Sequence, residues 1–327
     1  MPYKTFIDVS NYQPVLKASD LAGHISALAC KACEVDDQPW VGGQSVDKFV
    51  DPKLADNVQL AYDLKIPCAV YIFDNPNYTM VNGGSWSDHV KHPNSGDPRI
   101  LALRQALKNK TYHAICIDVE RWWKSYNQYY ANKGTAEKIP PIWIHDSAAD
   151  LEQRIKEDQA AGLLRKVPIW FYTGKWFVDA YCPQLDTFLA TRRQWLADYT
   201  TQVYKLTVGK VMTWEALQAI IDAQAFNPPW VGNKRAELVQ LTDAVTVPGI
   251  YNAAGSARPV DIDVALVDLS QVFAPGEWSG VTPPPVDPPP TDTDYAALEA
   301  RVTATEMRLD TIEATLKAGL KVTGVAK

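Results

Sequence analysis

Short apolar runs alternate with stretches of helical period across residues 6–273, and this alternation restricts the fold more than any other feature of the sequence. The runs are continuously apolar, which is typical of strands buried on both faces in a parallel sheet. The predicted strands are TFIDVS (5–10), SALACKACE (26–34), PCAVYIF (67–73), HAICIDVE (113–120), PIWFYT (168–173), RQWLADY (193–199) and LVQLT (238–242). Helical patterns lie between them, for example at 51–64, 97–109 and 148–161. We therefore expect an α/β fold, a TIM-like (β/α) barrel that is regular or irregular, rather than an open sheet.

The composition changes after residue 273. The segment GVTPPPVDPPPTDTD (280–294) is rich in proline and predicts a semi-rigid extended linker. Beyond it, apolar positions recur at spacings of three and four, the a/d pattern of a coiled coil. They are Tyr295, Leu298, Val302, Thr305, Leu309, Ile312 and Leu316, with Thr305 interrupting the pattern. The sequence thus predicts a catalytic barrel domain (1–278), a proline-rich linker (279–294) and a C-terminal amphipathic helix (295–327).

A single helix of this length is marginally stable alone in water. We therefore expect the C-terminal helix to associate with copies of itself, which makes the protein a homo-oligomer. A solvated tail, or a tail docked on another protein, is the alternative.

The net charge, the lengths of the apolar runs and the number of cysteines exclude several classes of protein. A net charge of −6 argues against a nucleic-acid partner, because binding DNA or RNA needs clustered Lys and Arg. No run approaches the ~18 apolar residues of a membrane span, and no signal-peptide pattern precedes the first strand. We expect synthesis in the cytoplasm without a signal peptide. The five cysteines are an odd number without metal-ligand spacing, so we expect reduced thiols, no metal and no cofactor.

Two carboxylates follow the apolar part of the fourth predicted strand. Asp118 and Glu120 are two residues apart, so on a strand they point to the same side, roughly 6–7 Å apart. Residues at the C-terminal ends of parallel barrel strands lie at the mouth where catalytic groups gather, and Asp8 ends the first strand. Repulsion among three such acids raises at least one pKa. A protonated carboxyl beside an ionised one is the equipment of glycoside hydrolysis. Surface acids or a cation site are the alternative reading.

The aromatic content suits a sugar substrate. The chain has 11 Trp and 15 Tyr, and Trp122 and Trp123 directly follow the two carboxylates. Aromatic rings can stack on sugar rings, although at least half of these side chains should simply belong to the core.

The opening FIDVSNYQP (6–14) resembles the D-V-S-x-x-Q motif of the glycoside hydrolase family 25 lysozymes, which are N-acetylmuramidases common among phage endolysins. Further similar motifs follow in the family's order over about residues 3–273: ACKACE (29–34), DPKLADNVQLAYDLKIPCAVYIF (51–73), IDVE (117–120), PIWFYT (168–173), QWLADY (194–199), LVQLTD (238–243) and VPGI…VDIDVA (247–265). The sequence departs from the family at Val239, where the family has Trp, and over 121–166, which is longer than the corresponding part of typical members and matches nothing in the pattern.

This resemblance implies a peptidoglycan hydrolase that cuts the β-1,4 bond between N-acetylmuramic acid and N-acetylglucosamine. Glu120 would be the proton donor, with Asp118 and Asp8 as supporting carboxylates. The sugar site would be lined by Asp261, Tyr71, Trp195, Tyr199 and Gln240. The partner would be cell-wall peptidoglycan, and the setting a phage or prophage lysis protein that acts on the wall.

Three other functions remain open. A non-catalytic glycan-binding or virion structural protein could keep the barrel, although a pure binder has no need of a proton donor. Chitinase-like hydrolases use D-x-x-D-x-D-x-E, but His113 and Cys116 occupy the two upstream acidic positions here. A metal-dependent hydrolase would use the acids with His113, which the sequence puts beside the site, but no paired histidine motif accompanies it.

Overall fold

The structure is a computed structural model that describes residues 3–13, 15–34, 49–76, 97–121, 138–198, 212–223, 229–231, 234–251 and 257–275. The chain divides into two compact units, Met1–Val281 and Thr282–Lys327. All described residues belong to the first unit. The linker predicted at 279–294 and the helix predicted at 295–327 lie outside the described residues, as do Trp122, Trp123 and Tyr199. The coiled coil therefore stays a prediction.

The described strands are β1 (Lys4–Val9), β2 (Val15–Leu16), β3 (Ala27–Glu34), β4 (Phe49–Val50), β5 (Cys68–Phe73), β6 (Ala114–Asp118), β7 (Ile169–Gly174), β8 (Arg193–Ala197), β9 (Met212–Thr213), β10 (Trp230–Val231), β11 (Lys234–Arg235), β12 (Leu238–Tyr251) and β13 (Ala257–Ala265). The described helices are α1 (Ala18–Leu21), α2 (Leu54–Leu64), α3 (Pro98–Leu107), α4 (Pro141–Ala160), α5 (Lys175–Ala180), α6 (Gln184–Leu189), α7 (Trp214–Asp222) and α8 (Leu269–Val272).

Eight of these strands close into a barrel in the order β1, β3, β5, β6, β7, β8, β12, β13 and back to β1. The first seven run parallel, whereas β13 is antiparallel to both of its neighbours. The TIM-like barrel is therefore confirmed, with one strand reversed. All seven predicted strands are present, and β13 is the barrel strand that the sequence did not predict.

Alternation along each strand divides the apolar side chains into two layers. One layer, with Ile7 and Val70, packs beneath the surrounding helices. The other fills the barrel interior, where alanines on three adjacent strands leave room for the large rings of Trp170 and Trp195. The segment around α8 closes the N-terminal end of the barrel. Trp170 Nε1 donates to the carbonyl of Val272 at 2.8 Å.

The stretch 121–166, which matched none of the resembled motifs, contributes α4. This helix begins at Pro141, earlier than the predicted start at 148, because proline fits the first turn of a helix, where no N–H partner is needed. Ion pairs fix it to α3. They join Arg99 to Asp150 at 2.5 Å, Arg104 to Asp158 at 2.5 Å and Arg154 to Asp97 at 3.0 Å.

Strand β12 continues past the barrel at its C-terminal end, where it pairs with β2 and β9. Helix α1 approaches it closely, with the N–H of Lys17 donating to the carbonyl of Gly249 at 2.8 Å. Gly249 has φ +92°, and a Cβ there would lie 2.8 Å from Leu21 Cγ, so glycine permits both the backbone and the contact.

Candidate active site

The C-terminal ends of the parallel strands form the barrel mouth, and acidic side chains converge there. Asp8 lies one residue before the end of β1 and Asp118 is the last residue of β6, as their positions in the sequence predicted. Asp261 lies at the same mouth, because it is directly across from Asp8 in the pair of β1 and β13. Its strand runs antiparallel to β1. The reversed strand thus adds Asp261 to the same site.

Asp8 is 9% exposed and is held by two neighbours. Gln240 Nε2 donates to Asp8 Oδ2 at 3.0 Å, and Gln240 Oε1 accepts from the hydroxyl of Tyr172 at 2.9 Å, which fixes the orientation of the amide. Asp8 also hydrogen-bonds to Asp261, and such a bond requires one of the two carboxyls to be protonated. Burial raises the pKa of Asp8 to about 6, against the bonds from Gln240 and Asp261, which lower it.

Asp118 is 7% exposed and lies in register between Phe73 and Tyr172. Burial and then the charge of Glu120 raise its pKa well above the usual range. Its Oδ1 has no hydrogen-bond partner among the described residues. This carboxyl is therefore a buried acid with one oxygen that no described residue satisfies.

Glu120 lies just beyond the end of β6 and is exposed as a whole residue. Loss of water around its carboxyl and then the charge of Asp8 raise its pKa to about 7. Glu120 is therefore largely protonated in mildly acidic solution, whereas Asp8 is the more readily ionised of the two.

The segment after β5 holds the backbone of Asp118 in place. The N–H of Asp74 donates to the carbonyl of Asp118 at 2.9 Å. The carboxylate of Asp74 accepts from Ser147 Oγ at 2.9 Å and from Arg99 Nη1 at 3.2 Å. The ion pairs that hold α4 to α3 thus extend to the backbone that carries the acids.

Lys31 is a cation at the mouth to which sequence reasoning gave no role. Its Nζ pairs with Glu34 and lies 5.7 Å from the centroid of the Phe73 ring. Burial lowers the pKa of Lys31, but the charges of Glu34 and then Asp118 raise it on balance. Its positive charge in turn opposes the rise in the pKa values of Asp118 and Glu120. A lone lysine within the apolar run ALACKACE was the signal that could have identified it.

Asp263 is a second residue that the sequence reading did not single out. It is fully buried on β13, and its Oδ1 accepts from Trp195 Nε1 at 2.7 Å. The alternation of acids with Val and Ile in VDIDVA could have indicated a strand with an acidic inner face.

The remaining predicted sugar-site residues have different environments. Tyr71 is half-buried at the mouth, and burial, followed by the charge of Asp8, raises its pKa well above the usual range. Trp195 is 2% exposed, and its ring lies 4.9 Å from that of Tyr172 and 5.5 Å from that of Phe6. In this structure Trp195 forms the floor beneath the acids and offers no free face to a sugar.

His113 is not beside the site, contrary to the sequence-based expectation. It precedes the first residue of β6, so it lies at the opposite end of that strand from Asp118. Its Nδ1 accepts from the N–H of Cys68 at 3.1 Å, and burial lowers its pKa to about 4. Within the described ranges, no group of three or more His, Cys, Asp or Glu side chains could hold a metal ion.

The five cysteines are all free and buried. None of the described helices is both long enough and apolar enough to cross a membrane.

The arrangement is suited to acid–base chemistry on a glycosidic bond. A carboxyl with a pKa of about 7 lies near a carboxyl with a pKa of about 6, so one can donate a proton while the other carries negative charge. That division of roles is what an oxocarbenium-like transition state requires.

Solved structures of other proteins share this fold. No profile of a known protein family matches the sequence, and no curated protein matches it. Among solved structures, the spore cortex lytic enzyme SleM of Clostridium perfringens superimposes with a TM-score of 0.51 at 17% identity, covering 83% of this chain and 69% of that one. GHIP, a glycosyl hydrolase 25 of Streptococcus pneumoniae, gives 0.50 at 14% identity, covering 84% of this chain and 94% of that one. At these identities the likeness shows a shared barrel fold.

Proposed function

We propose that this protein is a glycoside hydrolase of the lysozyme type that degrades bacterial peptidoglycan. The more specific proposal is an N-acetylmuramidase that cuts the β-1,4 bond between N-acetylmuramic acid and N-acetylglucosamine. The observation that carries it is the convergence of Asp8, Asp118 and Glu120 at the barrel mouth, where Gln240 donates to Asp8 and burial raises the pKa of Asp8 to about 6 and that of Glu120 to about 7. Groups of one chemical type with pKa values set apart by their environments mark acid and base roles.

In the proposed reaction Glu120 gives its proton to the glycosidic oxygen as the bond to the anomeric carbon breaks. The leaving sugar departs as an alcohol, and positive charge develops on the anomeric carbon and its ring oxygen. Asp8, ionised and held by Gln240, stabilises that charge. A water molecule then supplies the hydroxyl group of the new reducing end, and its second proton restores the acid.

The solved structures with this fold support the proposal by their own descriptions. SleM is described as a cortex-lytic enzyme, and GHIP as a glycosyl hydrolase 25. The order of sequence motifs from FIDVSNYQP to VDIDVA points to the same class. The proposed place of action is the bacterial cell wall, and the proposed role is lysis by a phage or prophage protein.

The deciding experiment treats purified cell walls with the full-length protein and follows turbidity. The new reducing ends are then reduced with borohydride and identified by mass spectrometry. Reduced muramic acid supports the muramidase proposal, and reduced glucosamine identifies a hydrolase of the other glycosidic bond. Binding to walls without any new reducing end would overturn the enzymatic proposal and leave a glycan-binding protein.

A further inference from the structure

Asp263 is a buried acid that the proposed reaction does not use. It lies on β13 two residues from Asp261, across from Phe6 on β1 and Gln240 on β12. Its side chain is 0% exposed. Oδ1 accepts from Trp195 Nε1 at 2.7 Å, whereas Oδ2 has no hydrogen-bond partner among the described residues.

The charges around Asp263 all disfavour its ionised form. The titratable groups that influence it or are influenced by it are Asp8 on β1, Asp261 on its own strand and the thiol of Cys116 on β6. Burial, then the charges of Asp8 and Asp261, raise the pKa of Asp263 well above the usual range, and the bond from Trp195 lowers it only in part. An isolated buried carboxylate is so costly that such a group takes up a proton instead.

Asp263 is also connected to Asp8 through a series of contacts. It holds the indole of Trp195, whose ring packs edge-on against Tyr172. The hydroxyl of Tyr172 fixes the amide of Gln240, and that amide donates to Asp8. Moving the Trp195 ring would therefore displace the residue that orients the Asp8 donor.

We propose that Asp263 is a positioning residue that remains a neutral carboxylic acid during the proposed reaction and fixes the Trp195 indole beneath Asp8 without adding a negative charge. The role in catalysis rests on the proposed function, whereas the neutral state does not. A neutral carboxyl closely matches an asparagine amide in shape, since each has one carbonyl oxygen that accepts and one group that donates, OH in the acid and NH₂ in the amide. Leucine has a similar size but offers neither.

The test compares Asp263→Asn and Asp263→Leu with the wild type in the full chain. Asp263→Asn should keep its activity on walls within about threefold, and its pH profile should stay unchanged. Asp263→Leu should lose at least about tenfold, because Trp195 Nε1 then lacks its acceptor. Rescue by the amide but not by the hydrocarbon separates positioning from simple filling of space.

Two readouts do not depend on activity. Chemical unfolding across pH should show Asp263→Asn more stable than the wild type near about pH 8, with the difference vanishing below about pH 4. The sign follows because an acid with a raised folded pKa contributes full stability below its unfolded pKa of about 3.9 and loses it as the pH rises. The indole N–H NMR signal of Trp195, assigned by its absence in Trp195→Phe, should persist in Asp263→Asn and shift in Asp263→Leu.

Several results would overturn the inference. They are an Asp263→Asn variant that is folded but loses more than about tenfold in activity, one that is less stable than the wild type near about pH 8, or a fully active Asp263→Leu variant. If Asp263→Leu fails to fold, the pH dependence of the stability of Asp263→Asn and its Trp195 NMR signal still decide whether Asp263 is neutral and holds Trp195. If the wild type releases no sugar from walls, the proposed function fails, while these same two readouts still judge whether Asp263 is neutral and holds Trp195.

Discussion

Gln240 on β12 donates from Nε2 to Oδ2 of Asp8 on β1 at 3.0 Å, although β13 separates the two strands in the barrel. The contact therefore runs across the interior of the mouth. Because the hydroxyl of Tyr172 occupies Gln240 Oε1, the amide presents its N–H side to Asp8, which favours the ionised carboxylate.

Replacing Gln240 with methionine should raise the pKa of Asp8, since the bond from Gln240 lowers it. The acidic limb of the rate profile should move to higher pH, and activity near about pH 6 should fall by about tenfold or more, because a hydrogen bond to a charged group contributes about 1.5–3 kcal/mol. Initial rates on walls at a series of pH values measure this. Gln59→Met on the exposed face of α2 is the matched control. An unchanged acidic limb would show that Asp8 does not carry the required charge.

Glu120→Gln should remove nearly all wall-lytic activity and leave the fold intact. The amide cannot give a proton to the leaving oxygen, and general acid–base help is typically worth about 10²–10⁴-fold. Turbidity assays, with circular dichroism as the check on folding, measure this. Glu157→Gln makes the same chemical change on the exposed face of α4 and should be fully active. If Glu120→Gln retains more than about a tenth of the wild-type rate, another group is the acid.

Activity should follow a bell-shaped pH profile with its maximum between the pKa of Asp8 and the pKa of Glu120. Asp8, at about 6, must lose its proton, and Glu120, at about 7, must keep its own. Below the first value the charge-stabilising carboxylate is neutralised, and above the second the proton donor is lost, so the rate falls on both sides. Initial rates at constant ionic strength between about pH 4 and pH 9 test this. A rate that keeps rising into alkaline solution would point to a metal-bound hydroxide instead.

Arg99→Leu should destabilise the protein by about 3–5 kcal/mol, because it leaves three acids near the removed guanidinium without that partner in a buried setting. These acids are Asp74, Asp97 and Asp150. The midpoint of urea unfolding measures the loss. Lys53→Gln removes a cation from the exposed pair with Asp56 and should cost at most about 1 kcal/mol. Equal effects of the two substitutions would contradict a structural role for the buried ion pairs.

Truncation after about residue 280 should produce a monomer if the heptad pattern of 295–316 forms a coiled coil. Turnover on short soluble fragments should not change, whereas action on whole walls should weaken, since linked catalytic domains act at higher local concentration. Light scattering on the full chain and on the truncated chain measures the first effect. Two monomers would exclude the coiled coil and favour a docking helix for another protein.

The sequence alone determined the seven parallel strands and the positions of Asp8 and Asp118 at the ends of two of them. Continuous apolar runs specify strands buried on both faces, and a residue at the C-terminal end of a parallel strand has to lie at the mouth. Both inferences depend only on local periodicity and on position within a run, which are properties of the chain itself. The two-residue period that put Glu120 on the same side as Asp118 assumed a strand that continues to residue 120, whereas β6 ends at Asp118.

The tertiary structure alone decided the reversed direction of β13, because side-chain alternation is the same for parallel and antiparallel strands. It also decided which charged groups lie together. Asp261 and Asp263 lie near Asp8 because β13 pairs with β1, and Lys31 lies near Asp118. His113, in contrast, lies at the far end of β6. The pKa values of the acids depend on burial and on neighbours that are distant in sequence, so no local pattern contains them. The position of Trp195 was decided in the same way. Its residue type suits a sugar-binding platform, but the barrel buries the side chain beneath the acids.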